Sequence, residues 1–116
     1  MGLVVSVVGG RNFTDKALLY SVLDSIHKKK GIDMIVSGGA KGADELAYRY
    51  AVSRGFTFVC HPPIPEEGFP RAYFRRNVRI VEHGEILVAF PIKESKGTHH
   101  SIGLAKRLGK KVLVWD

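Results

Sequence analysis

Cysteine is nearly absent. Cys60 is the only one in 116 residues, which excludes an internal disulfide framework and fits a reducing, cytoplasmic setting. No apolar run approaches the roughly 20 residues needed to span a bilayer, so no membrane partner is expected. The opening MGLVVSVVGG has no basic stretch and no cleavage site, so no signal peptide is read there. Gly2 with Ser6 fits the bare myristoylation pattern, but Leu3 to Val8 reads better as a buried strand. Both standard phosphate fingerprints are missing. In a Walker loop Gly-Lys is followed by Ser or Thr, whereas here Lys41 precedes Gly42 and Ala43 follows it. No Gly-x-Gly-x-x-Gly follows the first apolar run either. Cys60, His61, His83, His99 and His100 make no recognised metal spacing, and no Ser-His-Asp or Cys-His triad is readable. Acidic residues are scarce beside basic ones, 11 against 18, for a net charge of +7. That balance favours anionic partners (nucleotides, nucleic acid, anionic surfaces) without choosing among them.

Apolar residues make up 45% of the chain, enough for a core, and the length suits one domain spanning 1–116. The run LVVSVV, residues 3–8, predicts a strand buried on both faces, ended by Gly9-Gly10. Thr14 or Asp15 is placed to cap a helix with Leu18, Leu19, Val22, Leu23 and Ile26 on one stripe. Lys28, Lys29 and Lys30 suit its last turn, and Gly31 stops it. A second strand follows over 32–36, a second helix over 43–54 and a third strand over 56–60. HPPIPEEGFP, with four prolines in ten positions, cannot be regular structure. A third helix is predicted over 71–82, facing Phe74, Val78 and Val81 inward. A strand over 85–90 comes next. Then comes a helix capped by Thr98, with Ile102, Ala105 and Leu108 inward, and a last strand over 111–115.

Strands alternating with helices through short connections mean a parallel sheet covered on both faces. The expectation is an α/β, Rossmann-like three-layer α/β/α fold with five strands in the order 3-2-1-4-5. Ligands of such sheets bind outside the carboxyl ends of the strands, where the winding reverses. Three loops then matter: GGRNFT after the first strand, SGGAKGAD after the second and PIKESKGT after the fourth. Glycines let a backbone approach a phosphate closely, and helix starts present unpaired N–H groups. Three helix starts at one crevice are therefore expected to form an anion site. Asp44, in the first turn of the second helix, either complements the helix dipole or accepts from ribose hydroxyls. Of Arg75 and Arg76, adjacent on a helix, one is expected to face the crevice and grip a phosphate.

GGRNFTD (9–15), GGAKGADELA (38–47), RRN (75–77), AFP (89–91) and KGT (96–98) together resemble the SLOG superfamily. That Rossmann-like group includes the DNA-processing protein DprA and the LOG cytokinin-activating enzymes. Within it the chain resembles most the small YspA/YpsA-like branch, common in bacteria and their phages. The resemblance spans nearly the whole chain. It implies a site for a nucleotide or nucleotide-sugar ligand and a homodimer as in many relatives. It assigns ligand contact to Gly9, Gly10, Arg11, Gly38, Gly39, Gly42, Asp44, Arg76, Asn77, Gly97 and Thr98. The same loops add Ser37 and Lys41 as candidates. No metal is implied.

One departure bears on chemistry. LOG-type phosphoribohydrolases carry P-G-G-x-G-T-x-x-E in the loop after the fourth strand. Here Pro91 is followed by IKESKGT, and the glutamate position falls on Ser101. Breaking an N-glycosidic bond builds positive charge on the sugar, which a carboxylate stabilises and a hydroxyl does not. Glu94 or Asp44 would have to substitute. Three readings result: a module that binds a nucleotide-derived ligand as sensor or processor, an N-glycosidase or phosphoribohydrolase-like enzyme, and a DprA-related nucleic-acid-binding module. The third draws on the basic charge, with Tyr73 and Phe74 beside Arg75 as its one stacking candidate.

Overall fold

The computed structural model describes residues 2–92 and 96–115. Five strands, β1 (Leu3–Gly9), β2 (Ile32–Ser37), β3 (Thr57–Cys60), β4 (Ile86–Phe90) and β5 (Lys111–Val114), form one sheet. All neighbours are parallel, in the order β3-β2-β1-β4-β5. Four helices connect them: α1 (Lys16–Lys30), α2 (Ala43–Arg54), α3 (Arg71–His83) and α4 (Lys96–Arg107). This is the expected Rossmann-like arrangement, and the winding reverses between β1 and β4.

Both faces of the sheet are covered, so the central strands read as continuous apolar runs. Within them the period of two still sorts the side chains. Val5, Val7, Ile35, Val88 and Phe90 pack towards α1 and α2, against Leu19, Leu23, Ala47 and Tyr50. Val8, Val36, Leu87 and Ala89 point the other way, onto Ile80, Val81, Ile102 and Ala105 of α3 and α4. Each such Leu, Ile or Val removed from water contributes about 1.5–3 kcal/mol. Ser6 is the polar exception inside β1. It is fully buried, and its hydroxyl donates to the Ile80 carbonyl at 2.6 Å, tying α3 to the central strand. A Cβ at Gly84 would overlap the Ser6 hydroxyl, so that approach needs glycine.

Local signals explain most element ends. Of the two possible caps of α1, Asp15 acts: its carboxylate accepts from the Leu18 N–H at 3.0 Å. Gly31 and Gly55 end α1 and α2 in positive-φ conformations. Three expectations need correction. Phe74 is 46% exposed, because α3 buries a different stripe, and Leu108 is 52% exposed, because α4 ends at Arg107 and Leu108 falls in the turn beyond it. On α3 the buried set is Ala72, Asn77, Ile80 and Val81, so the polar Asn77 faces inward while the apolar Phe74 faces out. Thr98 does not cap α4; it is a buried residue inside a helix that already runs from Lys96.

Candidate functional site

A crevice of about 360 Å³ opens at the carboxyl ends of the strands, at the switch point. Its floor is the turn after β1. Gly10 donates to the Phe90 carbonyl at 3.2 Å, and the Gly10 carbonyl accepts from Ala43 N–H at 3.3 Å. These bonds press the turn against both β4 and the start of α2. A Cβ at Gly9 would run into Ala43, and one at Gly42 would run into the Gly10 carbonyl. Gly42 also sits at φ +78°, ψ −126°, a conformation that L side chains avoid. Arg11 and Asn12 stand exposed at the rim.

One wall is built around Gly38. The Arg76 guanidinium reaches back from α3, and its Nη1 donates to the Gly38 carbonyl at 3.0 Å. Its Nε donates to the Asn77 carbonyl oxygen Oδ1 at 3.1 Å. A Cβ on Gly38 would lie 2.5 Å from Arg76 Nη1 and 3.0 Å from Asp44 Oδ2. The missing side chain thus lets a guanidinium and a carboxylate flank one backbone position. Asp44 is only 7% exposed. It accepts from the Ala40 N–H at 3.2 Å. Burial pushes its carboxyl above the usual range, opposed in part by the Ala40 and Gly38 N–H groups and the Arg76 charge.

The opposite wall is the first turn of α4. Asn77, buried, turns its Nδ2 towards the Gly97 carbonyl at 3.5 Å and His100 Nδ1 at 3.4 Å. It therefore joins Arg76 on one side to α4 on the other. Burial holds the His100 imidazole below its ordinary value, with the Arg107 charge adding to this. Ser101, in the position where LOG-type enzymes carry glutamate, donates to the Gly97 carbonyl at 3.1 Å. Its hydroxyl is spent inside the helix. Asp44 is the one carboxylate lining the crevice among the described residues. Glu94, the other proposed substitute, lies outside the described residues.

Of the sequence candidates, Gly9, Gly10, Arg11, Asp44, Arg76, Asn77, Gly97 and Thr98 line this one space. Ser37 lies beneath it, donating to the Val7 carbonyl at 2.8 Å. Gly38 supports Arg76. Gly39, at φ +75°, packs against Cys60, where a Cβ would come within 2.6 Å of the sulfur. Gly42 holds the two loops together, and Lys41 is exposed outside the lining. The expectation of three converging helix starts is corrected to two: no residue of the first turn of α1 lines the crevice, only the turn preceding it. Val8, Asn12, Ala40, Ile80, Ile92, Lys96 and Ser101 also line the crevice and were not among the sequence candidates for ligand contact. Lys96 stood in the KGT stretch and Asn12 in GGRNFT, so their place next to known candidates was the available signal.

The lysine clusters lie elsewhere. Lys28, Lys29 and Lys30 end α1 and Lys111 begins β5, at the amino ends of the strands. Lys110 donates to the Glu82 and Gly84 carbonyls at 2.9 and 2.6 Å, satisfying the end of α3.

Residues 3–65, just over half of the chain, match the family described as YAcAr, the YspA, cpYpsA-related SLOG family. The chain belongs to this SLOG family. Another similar protein is the Gene 61 protein of Mycobacterium phage D29, 31% identical over 116 residues, or 94% of this chain and 93% of the phage protein. Two solved structures share this fold. DNA processing protein A from Helicobacter pylori, described for its single-stranded DNA binding mode, superposes with a TM-score of 0.76 at 19% identity. DNA processing protein A from Streptococcus pneumoniae gives 0.77 at 18%. Each match covers 97% of this chain but only 64% and 50% of the respective neighbour. At such identity the likeness establishes the fold alone.

Proposed function

We propose that the crevice binds a nucleotide or nucleotide-derived ligand. The carrying observation is the Asp44–Gly38–Arg76 wall: a buried carboxylate and a guanidinium flanking a backbone position without a side chain. Arg76 would meet phosphate, aided by the N–H groups at the start of α4, while Asp44 would accept from ribose hydroxyls. A cavity of about 360 Å³ lies within the size range of small-ligand sites. A thermal-shift series with AMP, ADP-ribose and NAD tests this, since a ligand that binds only the folded state raises Tm by mass action. Saturable stabilisation by one of them, lost in Arg76→Ala, is the expected result. No shift with any nucleotide removes the reading.

A second reading, nucleic-acid binding, is favoured by exposed rings on and just before α3, the helix that carries Arg76. Phe69, Tyr73 and Phe74 are exposed there among exposed Arg71 and Arg75. Phe69 packs on Tyr73 with centroids 4.9 Å apart, and Phe74 meets the His100 ring at 4.8 Å. Exposed rings beside arginines can stack bases. Affinity for an oligothymidylate that falls steeply with salt and drops in Tyr73→Ala would support it. Catalysis has narrower support, since Asp44 is the only described carboxylate in place. A processing enzyme would release free base from nucleoside monophosphates and lose that activity in Asp44→Asn.

A further inference from the structure

A second depression lies away from the crevice, and the proposed ligand reading makes no use of it. It encloses about 530 Å³ between α1 and the β4–β5 half of the sheet. The asymmetry of helix coverage explains it. On this face α2 lies over β1, β2 and β3, and α4 covers β4 and β5 only from the other side. Only the flank of α1 borders β4 and β5 here. Leu18 and Ile26 of α1 face Ile86, Leu113 and Trp115 across the gap. All of them stay partly in water, and Trp115 is 43% exposed. β5 also ends the sheet, so its outer edge is unpaired among the described residues.

The rim decides what fits. Lys29, Lys30 and Lys111 stand around the apolar floor, and no acidic side chain lines it among the described residues. A second copy docked groove to groove would oppose three lysines with three lysines, a like-charge juxtaposition that disfavours pairing. A lipid surface would need the apolar side chains to protrude, whereas these line a concave slot. The vacancy beside α1, above two strands, is the position another helix would occupy in a fuller α/β layer. We propose that this groove docks an amphipathic helix of a partner protein, with apolar residues on one face flanked by aspartate and glutamate.

Trp115 is the only tryptophan and lies in the slot, so its emission reports occupancy directly. The probe is a synthetic helical peptide of about three turns with leucines at i, i+3, i+4 and i+7 and glutamates beside them. Expected are a saturable blue shift of Trp115, weakening with added salt, and about tenfold weaker binding in the Lys29→Glu/Lys111→Glu variant. Both lysines are exposed, and a thermal melt checks that the variant folds. Ser25→Glu, at the exposed lip, supplies a second charge-repulsion test with the same expected direction. Equal binding of the same peptide with lysines in place of glutamates overturns the proposal, as does no shift at all. A shift with phosphatidylglycerol vesicles but not with peptide assigns the slot to a lipid surface instead. A shift that grows with protein concentration alone, with doubled mass in sedimentation, assigns it to a second copy.

Discussion

Asp24 and Asp44 lie on neighbouring helices, α1 and α2, and their carboxyl groups are shifted in opposite directions. Asp24 is saturated with donors. Its Oδ1 accepts from the Tyr50 hydroxyl at 2.8 Å and from Arg54 Nε at 3.0 Å, and its Oδ2 accepts from Arg54 Nη2 at 2.8 Å. The Arg54 hydrogen bonds hold its carboxyl below the usual range, outweighing a small burial cost. Asp44 is more deeply buried and worse supplied. The Ala40 N–H reaches it at 3.2 Å, and no ion pair closes on it among the described residues. Burial therefore wins, and its carboxyl is raised. This chain can satisfy a carboxylate fully, as Asp24 shows. A poorly satisfied one in the crevice is what a binding or catalytic site retains.

The largest test removes the device that buries Asp44. In Gly42→Ala the new Cβ meets the Gly10 and Arg11 carbonyls, in a backbone conformation that alanine resists. Strain and overpacking together are expected to cost about 2–5 kcal/mol, or roughly 10–20 °C in Tm. If the folded fraction survives with the two loops parted, water reaches Asp44. Carboxyl NMR titration then finds its pKa moved back towards the ordinary value and the contrast with Asp24 reduced. An unshifted Asp44 would show that burial is not the cause.

Arg76→Ala comes next. The guanidinium charge partly offsets the burial of Asp44, so its removal is expected to raise the Asp44 pKa further and leave Asp24 unchanged. Under the proposed function it also removes a charge-assisted phosphate contact. Nucleotide affinity is then expected to fall about tenfold to hundredfold by calorimetry. Loss of affinity without movement of Asp44 would separate the two roles.

Asp44→Asn is smaller and its sign is informative. A carboxyl raised in the folded state favours folding below its unfolded value, and that advantage is lost as pH rises through the folded value. At pH 7 the charged group is a liability that asparagine lacks, while the asparagine oxygen can still accept from Ala40. The variant is expected to melt higher than the parent at pH 7, with the gain disappearing near pH 4, and to bind the nucleotide more weakly. A lower Tm at pH 7 would mean that Asp44 is better paired than its geometry shows.

Much of this contrast is not visible in the sequence. The order of elements was, because the strands are short β-branched runs bounded by Gly9-Gly10, Gly31, Gly55 and Gly84. The switch-point crevice followed from topology. Side-chain direction on α3 did not follow, since Asn77 takes an inward position and Phe74 an outward one. Neither Arg75 nor Arg76 is distinguished by spacing alone; Arg76 is placed by the room left at Gly38. Asp24 was not singled out at all. Its partners are 26 and 30 residues away, and nothing local marks an aspartate in mid-helix as paired.

Asp24→Asn carries the smallest effect and the opposite pH sign. A carboxyl lowered in the folded state contributes stability above its unfolded value and loses it as pH falls through the folded value. The variant is therefore expected to melt below the parent at pH 7 and to converge with it in the acid range. The loss should be modest, because the Arg54–Asp24 pair is about two-fifths exposed and solvent and salt screen it. It should shrink further in 1 M salt. Nucleotide binding should be untouched, since Asp24 lies outside the crevice lining. The two asparagine variants thus move Tm in opposite directions at pH 7 and only one of them changes binding. Equal and parallel losses from both would mean that the two carboxylates serve the same structural role, and would withdraw the crevice assignment of Asp44.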